Sequence, residues 1–224
     1  MLLDIHTHNL KTGERAVLSI EPEALATLPE PSGANRPEVL YSVGFHPWNL
    51  PPAGPSPDDW ALFKRLAERP DVVAIGECGL DLLKGPILAI QMNAFREQAE
   101  TADRLGKPLI IHCVKGYEQI ISIKKELKPK TPWIIHGFRG KASVARMLIT
   151  AGFYLSIGEK FNPQALAEIP SDRLLLETDE STLPITAILT SAAQATGKTP
   201  EALQNEISDT ITAIFGTLAG LGEQ

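Results

Sequence analysis

The sequence predicts an α/β fold, a trimmed (β/α)8 TIM-type barrel that forms a single domain over residues 1–224. Eight short apolar runs are continuous rather than alternating, as in parallel strands that are covered on both faces. From the fourth run onward, segments with helical periodicity or composition separate the runs. The chain has only five histidines, and each stands at the end of an apolar run. The carboxyl ends of barrel strands meet at one mouth, so these histidines are expected to share a site.

The predicted elements follow one another as strand, helix, strand. The strands are the opening run within Met1–His8 and then Ala16–Ile20, Val39–Phe45, Val72–Gly76, Leu109–Cys113, Trp133–Gly137, Phe153–Ile157 and Leu174–Glu177. The helices between the later strands are Gln91–Leu105, Tyr117–Leu127, Ala142–Ala151 and Pro163–Ile169. A closing amphipathic helix is expected over Thr199–Leu218, with Thr199 as its cap and Pro200 in its first turn.

The first third of the chain departs from this alternation. Only Asn9–Arg15 separate the first two strands, and seven residues span at most about 23 Å, which is too short for a crossover helix. The segment Glu21–Glu38 has room for one or two helical turns around Pro22–Leu28 before its prolines intervene. We therefore expect an incomplete outer helix ring near strands 1–3. A loop or a partner subunit is expected to cover that side, so an oligomer could form through it.

Composition narrows the function classes. No stretch reaches the roughly 18 apolar residues of a membrane helix, and no basic or apolar leader precedes Asp4, so we expect a cytoplasmic protein with no membrane partner. Cys78 and Cys113 are interpreted as reduced thiols. The net charge of −6 gives no general attraction to nucleic acid, so local cations or a metal must hold a phosphate-bearing substrate.

Polar side chains collect at the predicted strand ends. His6 and His8 lie two residues apart, so both imidazoles project from the same face of an extended strand. The other members, each at the end of a later strand, are His46, Glu77, His112, His136 and Asp179. Four of these five imidazoles and the two carboxylates can hold two divalent cations, with a carboxylate bridging and water completing each shell. Asp4 and Asp81 lie in phase with His6 and Glu77, and either orient a ligand or form ordinary strand-end hydrogen bonds.

Six motifs in barrel order resemble those of the TatD family of metal-dependent barrels, which are described as deoxyribonucleases. They are DIHTH at Asp4–His8, GFHP at Gly44–Pro47, GECGLD at Gly76–Asp81, KPLIIHC at Lys107–Cys113, IIHGFRG at Ile134–Gly140 and LLLETD at Leu174–Asp179. The resemblance implies that His6, His8 and Asp179 hold one divalent cation. It further implies that His112 and His136 hold a second cation and that Glu77 bridges the two. Family members are described as using magnesium, manganese or zinc.

The catalytic roles follow from the charge of the cations, which acidifies a bound water and offsets charge on a phosphoryl oxygen. A carboxylate that faces the activated water is the natural general base, and Asp179 takes that role, with Glu77 as the second catalytic carboxylate. His46 is not among the family's metal ligands and either faces the substrate or has a structural role; we interpret it as substrate-facing. Lys115, Arg139 and Lys141 follow strands that bear ligands, so they are either phosphate contacts, which we predict, or solvated loop charges.

Three functions remain open at this point. The first is a phosphodiesterase or deoxyribonuclease, such as a 3′-to-5′ exonuclease on DNA or RNA. The second is a metal-dependent amide or ester hydrolase, for example on misacylated tRNA, because an activated water also attacks carbonyl carbon. The third is a metal-binding scaffold with little turnover. The fifth and sixth strand motifs, and the short segment after Asp179, differ from the usual family pattern and bear on DNA specificity. A hydrolase built on Cys113 is disfavoured, since Cys113 and the adjacent His112 point to opposite strand faces.

Overall fold

The computed structural model describes residues 2–11, 13–31 and 39–216, which fall into two compact units. The first unit combines residues 1–18 with 134–224, and the second unit comprises residues 19–133. The single domain predicted for residues 1–224 stays a prediction. The strands are β1 (Asp4–Thr7), β2 (Ala16–Ile20), β3 (Leu40–Val43), β4 (Val72–Asp81), β5 (Leu109–Val114), β6 (Trp133–Ile135), β7 (Tyr154–Ile157) and β8 (Leu174–Leu176).

The helices are distributed between the two units. The second unit contains α1 (Pro22–Ala26), α2 (Pro57–Ala67), α3 (Leu88–Leu105) and α4 (Tyr117–Leu127). The first unit contains α5 (Ala142–Thr150), α6 (Pro163–Leu166), α7 (Ile185–Thr196) and α8 (Pro200–Phe215), with a short 3-10 turn over Ser171–Arg173. Within the described part of the chain, no helix combines the length and the apolar character that a membrane crossing requires.

In the first unit, β1 lies between β2 and the end of β8. Parallel pairing aligns Asp4 with Ala16 and Thr7 with Leu18, and a parallel bridge joins Thr7 to Asp179 just after β8. Parallel pairs then continue from β8 to β7 and from β7 to β6. All four residues of β1 and all three of β8 are buried, as expected for strands that are covered on both faces.

In the second unit, β3, β4 and β5 form a parallel set in chain order. Helix α3 packs on this set, and its buried Gln98 accepts a 2.7 Å hydrogen bond from the Phe45 backbone N–H. At the opposite ends of the strands, buried Arg69 and Asp71 form an ion pair with a nitrogen to oxygen distance of 2.7 Å. The same guanidinium donates to the Pro29 carbonyl at 2.9 Å, which fixes the chain that follows α1.

The predicted elements correspond closely to the observed ones. Helix α4 has the predicted bounds, and α1 occupies one of the one or two turns expected within Pro22–Leu28. The described residues between β1 and β2, namely 8–11 and 13–15, contain no helix, as predicted. The closing helix begins at Pro200 with Thr199 as its cap, and the Thr199 side chain accepts from the Ala202 N–H. The predicted end at Leu218 lies outside the described residues.

Two helices were not predicted. Helix α2 follows β3 and begins with a capping box, in which Ser56 and Asp59 each accept a hydrogen bond from the other's backbone N–H. The incomplete outer helix ring predicted near strands 1–3 is therefore found only beside β1 and β2, because β3 is followed by an 11-residue helix. Helix α7 lies in the segment after Asp179 that was interpreted as shortened. Strand β4 also continues five residues beyond its predicted end at Gly76, to Asp81.

Candidate active site

The first unit brings His6, His8 and Asp179 together through its backbone. The Asp179 N–H donates to the His6 carbonyl and the His8 N–H donates to the Asp179 carbonyl, both at 3.0 Å. Asp179 has a left-handed backbone with φ of 53°, which non-glycine residues seldom adopt outside aspartate and asparagine. As a result, Asp179 Oδ1 lies 3.8 Å from His6 Nε2 and 3.7 Å from His8 Nε2.

His136 from the end of β6 completes this group, which we call the Asp179 cluster: His6, His8, His136 and Asp179. The His6 ring centroid lies 4.3 Å from that of His136 and 5.0 Å from that of His8. Donor atoms of His6, His136 and Asp179 all lie within 4.8 Å of one another. Ligand atoms about 2.1 Å from a tetrahedral cation lie roughly 3.4 Å apart, so this spacing fits a metal.

A buried carboxylate, Glu177, supports His136. Its Oε1 lies 3.3 Å from His136 Nδ1 and accepts a 2.7 Å hydrogen bond from the Gly137 N–H. Burial of Glu177 raises the pKa of its carboxyl, but the neighbouring His136 and His6 imidazoles outweigh burial and hold that pKa below its usual range. Glu177 therefore fixes the orientation of the imidazole, as a carboxylate behind a metal ligand does.

Asp4 joins β1 to β8 beneath the cluster. Its Oδ1 accepts from the Thr178 N–H at 3.0 Å and its Oδ2 accepts from the Thr178 hydroxyl at 2.5 Å. Burial raises the pKa of Asp4 to about 7, although the two Thr178 hydrogen bonds lower it. Of the two interpretations of Asp4, these contacts favour strand-end hydrogen bonding, since they go to Thr178 and to the His6 backbone N–H.

The second unit holds the Glu77 cluster: His46, Glu77 and His112. Glu77 Oε1 lies 2.8 Å from His112 Nδ1 and 3.0 Å from His46 Nε2, and the three side chains are mostly buried. Donor atoms of all three lie within 4.8 Å of one another. This group differs from the Asp179 cluster in that its carboxylate is already at hydrogen-bond distance from both imidazoles.

Asp81 supports His112 as Glu177 supports His136. Its Oδ2 lies 3.3 Å from His112 Nε2 and accepts a 2.6 Å hydrogen bond from Trp48 Nε1. Its Oδ1 accepts from the Leu83 N–H at 2.8 Å. Burial raises the pKa of Asp81, but hydrogen bonds from Trp48, Leu83 and His112 outweigh burial and leave that pKa below its usual value. Of the two interpretations of Asp81, the contact with His112 favours ligand orientation.

The loop after β3 positions His46. Glu21 Oε1 accepts from the His46 N–H at 3.2 Å and from Asn49 Nδ2 at 3.0 Å. The Trp48 N–H donates to His46 Nδ1 at 3.1 Å, so in a neutral His46 ring the proton is on Nε2, which faces Glu77. His46 was predicted to face the substrate. Its contacts give it a further role as a hydrogen-bond donor to Glu77.

The predicted phosphate contacts all lie on exposed positions after strands. Lys115 follows β5 with φ of 58°, Arg139 follows β6, and Lys141 stands at the N-terminus of α5. Their contact with phosphate stays a prediction. Both cysteines are free thiols, and burial raises the pKa of Cys113 to about 12, which argues against a thiolate nucleophile.

The donor set of the two clusters fits divalent cations. It comprises imidazole nitrogens and carboxylate oxygens, which suit zinc and manganese, whereas magnesium prefers oxygen and water. Parallel strands that alternate with helices and carry such groups at their carboxyl ends place the chain in the class of (β/α) barrels with potential metal ligands at the strand ends.

Within that class the chain belongs to the TatD related DNase family, whose sequence profile matches residues 9–215. It is 38% identical over 151 residues to the metal-dependent hydrolase YabD of Bacillus subtilis, covering 63% of this chain and 58% of YabD. It is 36% identical over 185 residues to the 3′-5′ ssDNA/RNA exonuclease TatD of Erwinia billingiae, covering 76% of this chain and 66% of that protein. The matches thus span about three fifths to two thirds of these relatives.

The fold is also that of solved TatD-type structures. The chain resembles YJJV, a TatD homologue from Escherichia coli k12, with a TM-score of 0.79 and 19% identity over 96% of this chain and 98% of that one. It resembles a TatD family hydrolase from Entamoeba histolytica with a TM-score of 0.74 and 14% identity, over 96% and 98% of the two chains. The predicted TIM-type barrel fold is confirmed by these likenesses.

Proposed function

We propose that this protein is a metal-dependent phosphodiesterase that removes nucleotides from single-stranded DNA or RNA, as a 3′-to-5′ exonuclease. Membership of the TatD related DNase family supports this function, as does the similarity to the 3′-5′ ssDNA/RNA exonuclease TatD of Erwinia billingiae. The observation that carries the proposal is the Asp179 cluster, in which two imidazole nitrogens lie 3.8 and 3.7 Å from one carboxylate oxygen.

The proposed metal ligands are the residues named from the sequence: His6, His8, Glu77, His112, His136 and Asp179. A bound divalent cation lowers the pKa of a coordinated water and offsets charge on a phosphoryl oxygen. The number of cations, their identity and the division of ligands between them stay predictions. Glu177 and Asp81 hold the imidazoles of His136 and His112 in the orientations described above.

Asp179 is the proposed general base. Its side chain is 41% exposed, so solvent water reaches the carboxylate and a proton can leave from it. The exposed cations Lys115, Arg139 and Lys141 are proposed to contact the phosphates of the strand, which a net charge of −6 does not attract by itself. A cytoplasmic location and association through the side of the first strands stay predictions.

The test is a metal add-back assay. Metal-stripped protein is incubated with single-stranded DNA, RNA, bis-p-nitrophenyl phosphate and the carboxylic ester p-nitrophenyl acetate, with magnesium, manganese or zinc restored in turn. We expect restored cleavage of the phosphodiesters, and loss of digestion when the 3′ end of the DNA is blocked. Cleavage of the carboxylic ester alone would contradict this function and favour the metal-dependent ester hydrolase. No cleavage of any substrate would favour the metal-binding scaffold with little turnover.

A further inference from the structure

An exposed tryptophan stands beside the Glu77 cluster. Trp48 is 42% exposed, although large aromatic side chains are usually buried for the apolar area they remove from water. Its ring centroid lies 4.9 Å from that of His46 and 5.4 Å from that of His112, both in edge-on arrangements. The indole is thus exposed next to two imidazoles of the candidate active site.

The indole is held rigidly. Its Nε1 donates a 2.6 Å hydrogen bond to Asp81 Oδ2, the same oxygen that contacts His112. The Lys84 ammonium lies 3.4 Å from the centroid of the indole ring, a cation–π contact, and the Lys84 N–H donates to Asp81 Oδ1 at 3.1 Å. A fixed aromatic ring loses little conformational entropy when a ligand binds, so the arrangement is suited to recognition.

Lys84 lies over one face of the ring, and two exposed leucines precede Lys84 in the same loop. The loop after β4 exposes Leu82 at 40% and Leu83 at 68%, and the Leu82 N–H donates to the Val114 carbonyl at 3.1 Å. That hydrogen bond places the loop beside exposed Lys115, the residue after Val114. Because Lys84 covers one face of the indole, a base would stack on the other face. An exposed aromatic ring with cations beside it is the combination with which proteins bind single-stranded nucleic acid, the ring stacking on bases and the cations contacting phosphates.

We propose that Trp48 is a stacking platform for a nucleobase of the substrate strand, and that Lys84 and Lys115 contact the phosphates on either side of that base. This inference rests on the proposed function and specifies how its substrate is recognised. Stacking is tolerant of sequence because every base has a π-face, so the platform would accept any base while rejecting a strand that lacks bases.

The test compares binding of two phosphorothioate-linked octamers, which resist cleavage: oligothymidylate and an abasic strand with the same backbone. Fluorescence anisotropy with the purified full chain gives the Kd for each. We expect the wild type to bind oligothymidylate more tightly. Trp48→Ala should weaken oligothymidylate binding by about 5- to 150-fold, the equivalent of 1–3 kcal/mol, and leave abasic binding unchanged.

Two further variants separate stacking from a structural role. Trp48→Phe keeps an aromatic face but loses the N–H that Asp81 accepts, so it should retain most of the preference for bases. If Trp48 acted only by holding Asp81 and His112, the Phe and Ala variants would lose binding equally, and the proposal would be overturned. Lys84→Ala should weaken both octamers to a similar extent and reduce the salt dependence of binding.

Trp60→Phe is the matched control, since Trp60 packs in an aromatic group with Phe45 and Phe63. It should leave both Kd values unchanged. Equal binding of the two octamers by the wild type, or no binding of either, would overturn the platform. The metal add-back assay on bis-p-nitrophenyl phosphate reports separately on the proposed function, because that substrate carries no nucleobase.

Discussion

The Asp179 cluster and the Glu77 cluster both combine imidazoles with a carboxylate, but the distances between these groups differ. In the first, Asp179 lies 3.7 and 3.8 Å from its two imidazole nitrogens, beyond hydrogen-bond distance and near the spacing of ligands around a cation. In the second, Glu77 lies 3.0 and 2.8 Å from its two imidazoles, within hydrogen-bond distance. The first cluster has the spacing of a metal site, and the second has that of a hydrogen-bonded network.

The carboxylates of the two clusters also differ in their exposure to solvent. Asp179 is 41% exposed, whereas Glu77 is 5% exposed. A cation that binds Glu77 must replace hydrogen bonds that already stabilise a buried carboxylate, whereas Asp179 requires less rearrangement. We therefore expect the Asp179 cluster to be the stronger metal site and to supply the general base, and Glu77 to act mainly through its negative charge.

The largest expected effect tests the base. Asp179→Asn should reduce kcat/KM for bis-p-nitrophenyl phosphate by about 1,000-fold, because the amide cannot accept the proton. Asparagine tolerates the left-handed backbone at this position, so the circular dichroism and the melting temperature should change little. If the division of ligands implied by the family resemblance is right, with His112 and His136 as ligands of a second cation, metal analysis of the variant should still detect that cation. Loss of all bound metal would show that the predicted division of ligands is wrong.

Glu77→Gln tests the second cluster. The amide oxygen can still accept from His46 Nε2, so the geometry is kept while the negative charge is lost. We expect kcat/KM to fall by about 100-fold, less than for Asp179→Asn. A fall larger than that of the Asp179 variant, measured in the same assay, would reverse the ranking of the two clusters.

Smaller effects are expected for a matched pair of variants at the two carboxylates that contact His136 and His112. Glu177→Gln removes the charge beside His136, and Asp81→Asn removes the charge beside His112. Each should weaken metal binding by about 10-fold, as measured by competition with a chromogenic chelator. Equal activity with unchanged metal affinity in both variants would mean that neither carboxylate orients a ligand.

The smallest effect concerns stability away from both clusters, in the second unit. Lys107 donates to the carbonyls of Ala67 and Arg69, and burial lowers its pKa to about 8 from 10.5. Between those two values the unfolded chain binds more protons than the folded one, so this group makes stability rise with pH in that window.

Lys107→Met is the variant that isolates this effect. Urea unfolding of wild type and Lys107→Met at several pH values from about 8 to 10.5 should show that the rise attributable to Lys107 is missing in the variant. The same slope in both proteins would contradict the lowered pKa. Lys107 contacts the carbonyls of Ala67 and Arg69 rather than a proposed metal ligand, so the difference between the two curves reports on Lys107.

The sequence predicted most strands because each is a continuous apolar run between polar segments. It placed His6, His8 and Asp179 at one site, and the backbone hydrogen bonds between β1 and Asp179 bring them together. The predicted end of β4 at Gly76 is too early, because the continuous apolar run stops there. In fact the strand continues beyond Gly76, because β5 pairs with it as far as Asp81.

Other features depend on contacts that local pattern does not encode. The proline cluster before α2 favoured a loop, although proline is compatible with the first turn of a helix and Ser56 caps it. Helix α7 was missed although its buried residues, Ile185, Ile188, Leu189, Ala192 and Ala193, have the regular helical spacing i, i+3, i+4, i+7 and i+8. Glu177 could have been found by strand alternation, which puts it on the same side as Asp179. The pairing of Trp48 with Asp81, by contrast, joins residues 33 positions apart and has no sequence signal.

The bridge between Thr7 and Asp179 has a consequence for biosynthesis. The two residues are 172 positions apart, and at about 5–20 residues per second a ribosome needs roughly 9 to 34 s to synthesise the intervening chain. During that interval the nascent chain presents His6 and His8 without the carboxylate that lies between them in the folded protein. The Glu77 cluster, whose members end at His112, is translated much sooner. A ribosome stalled near residue 150 would already have synthesised every residue of the Glu77 cluster but only three of the four residues of the Asp179 cluster.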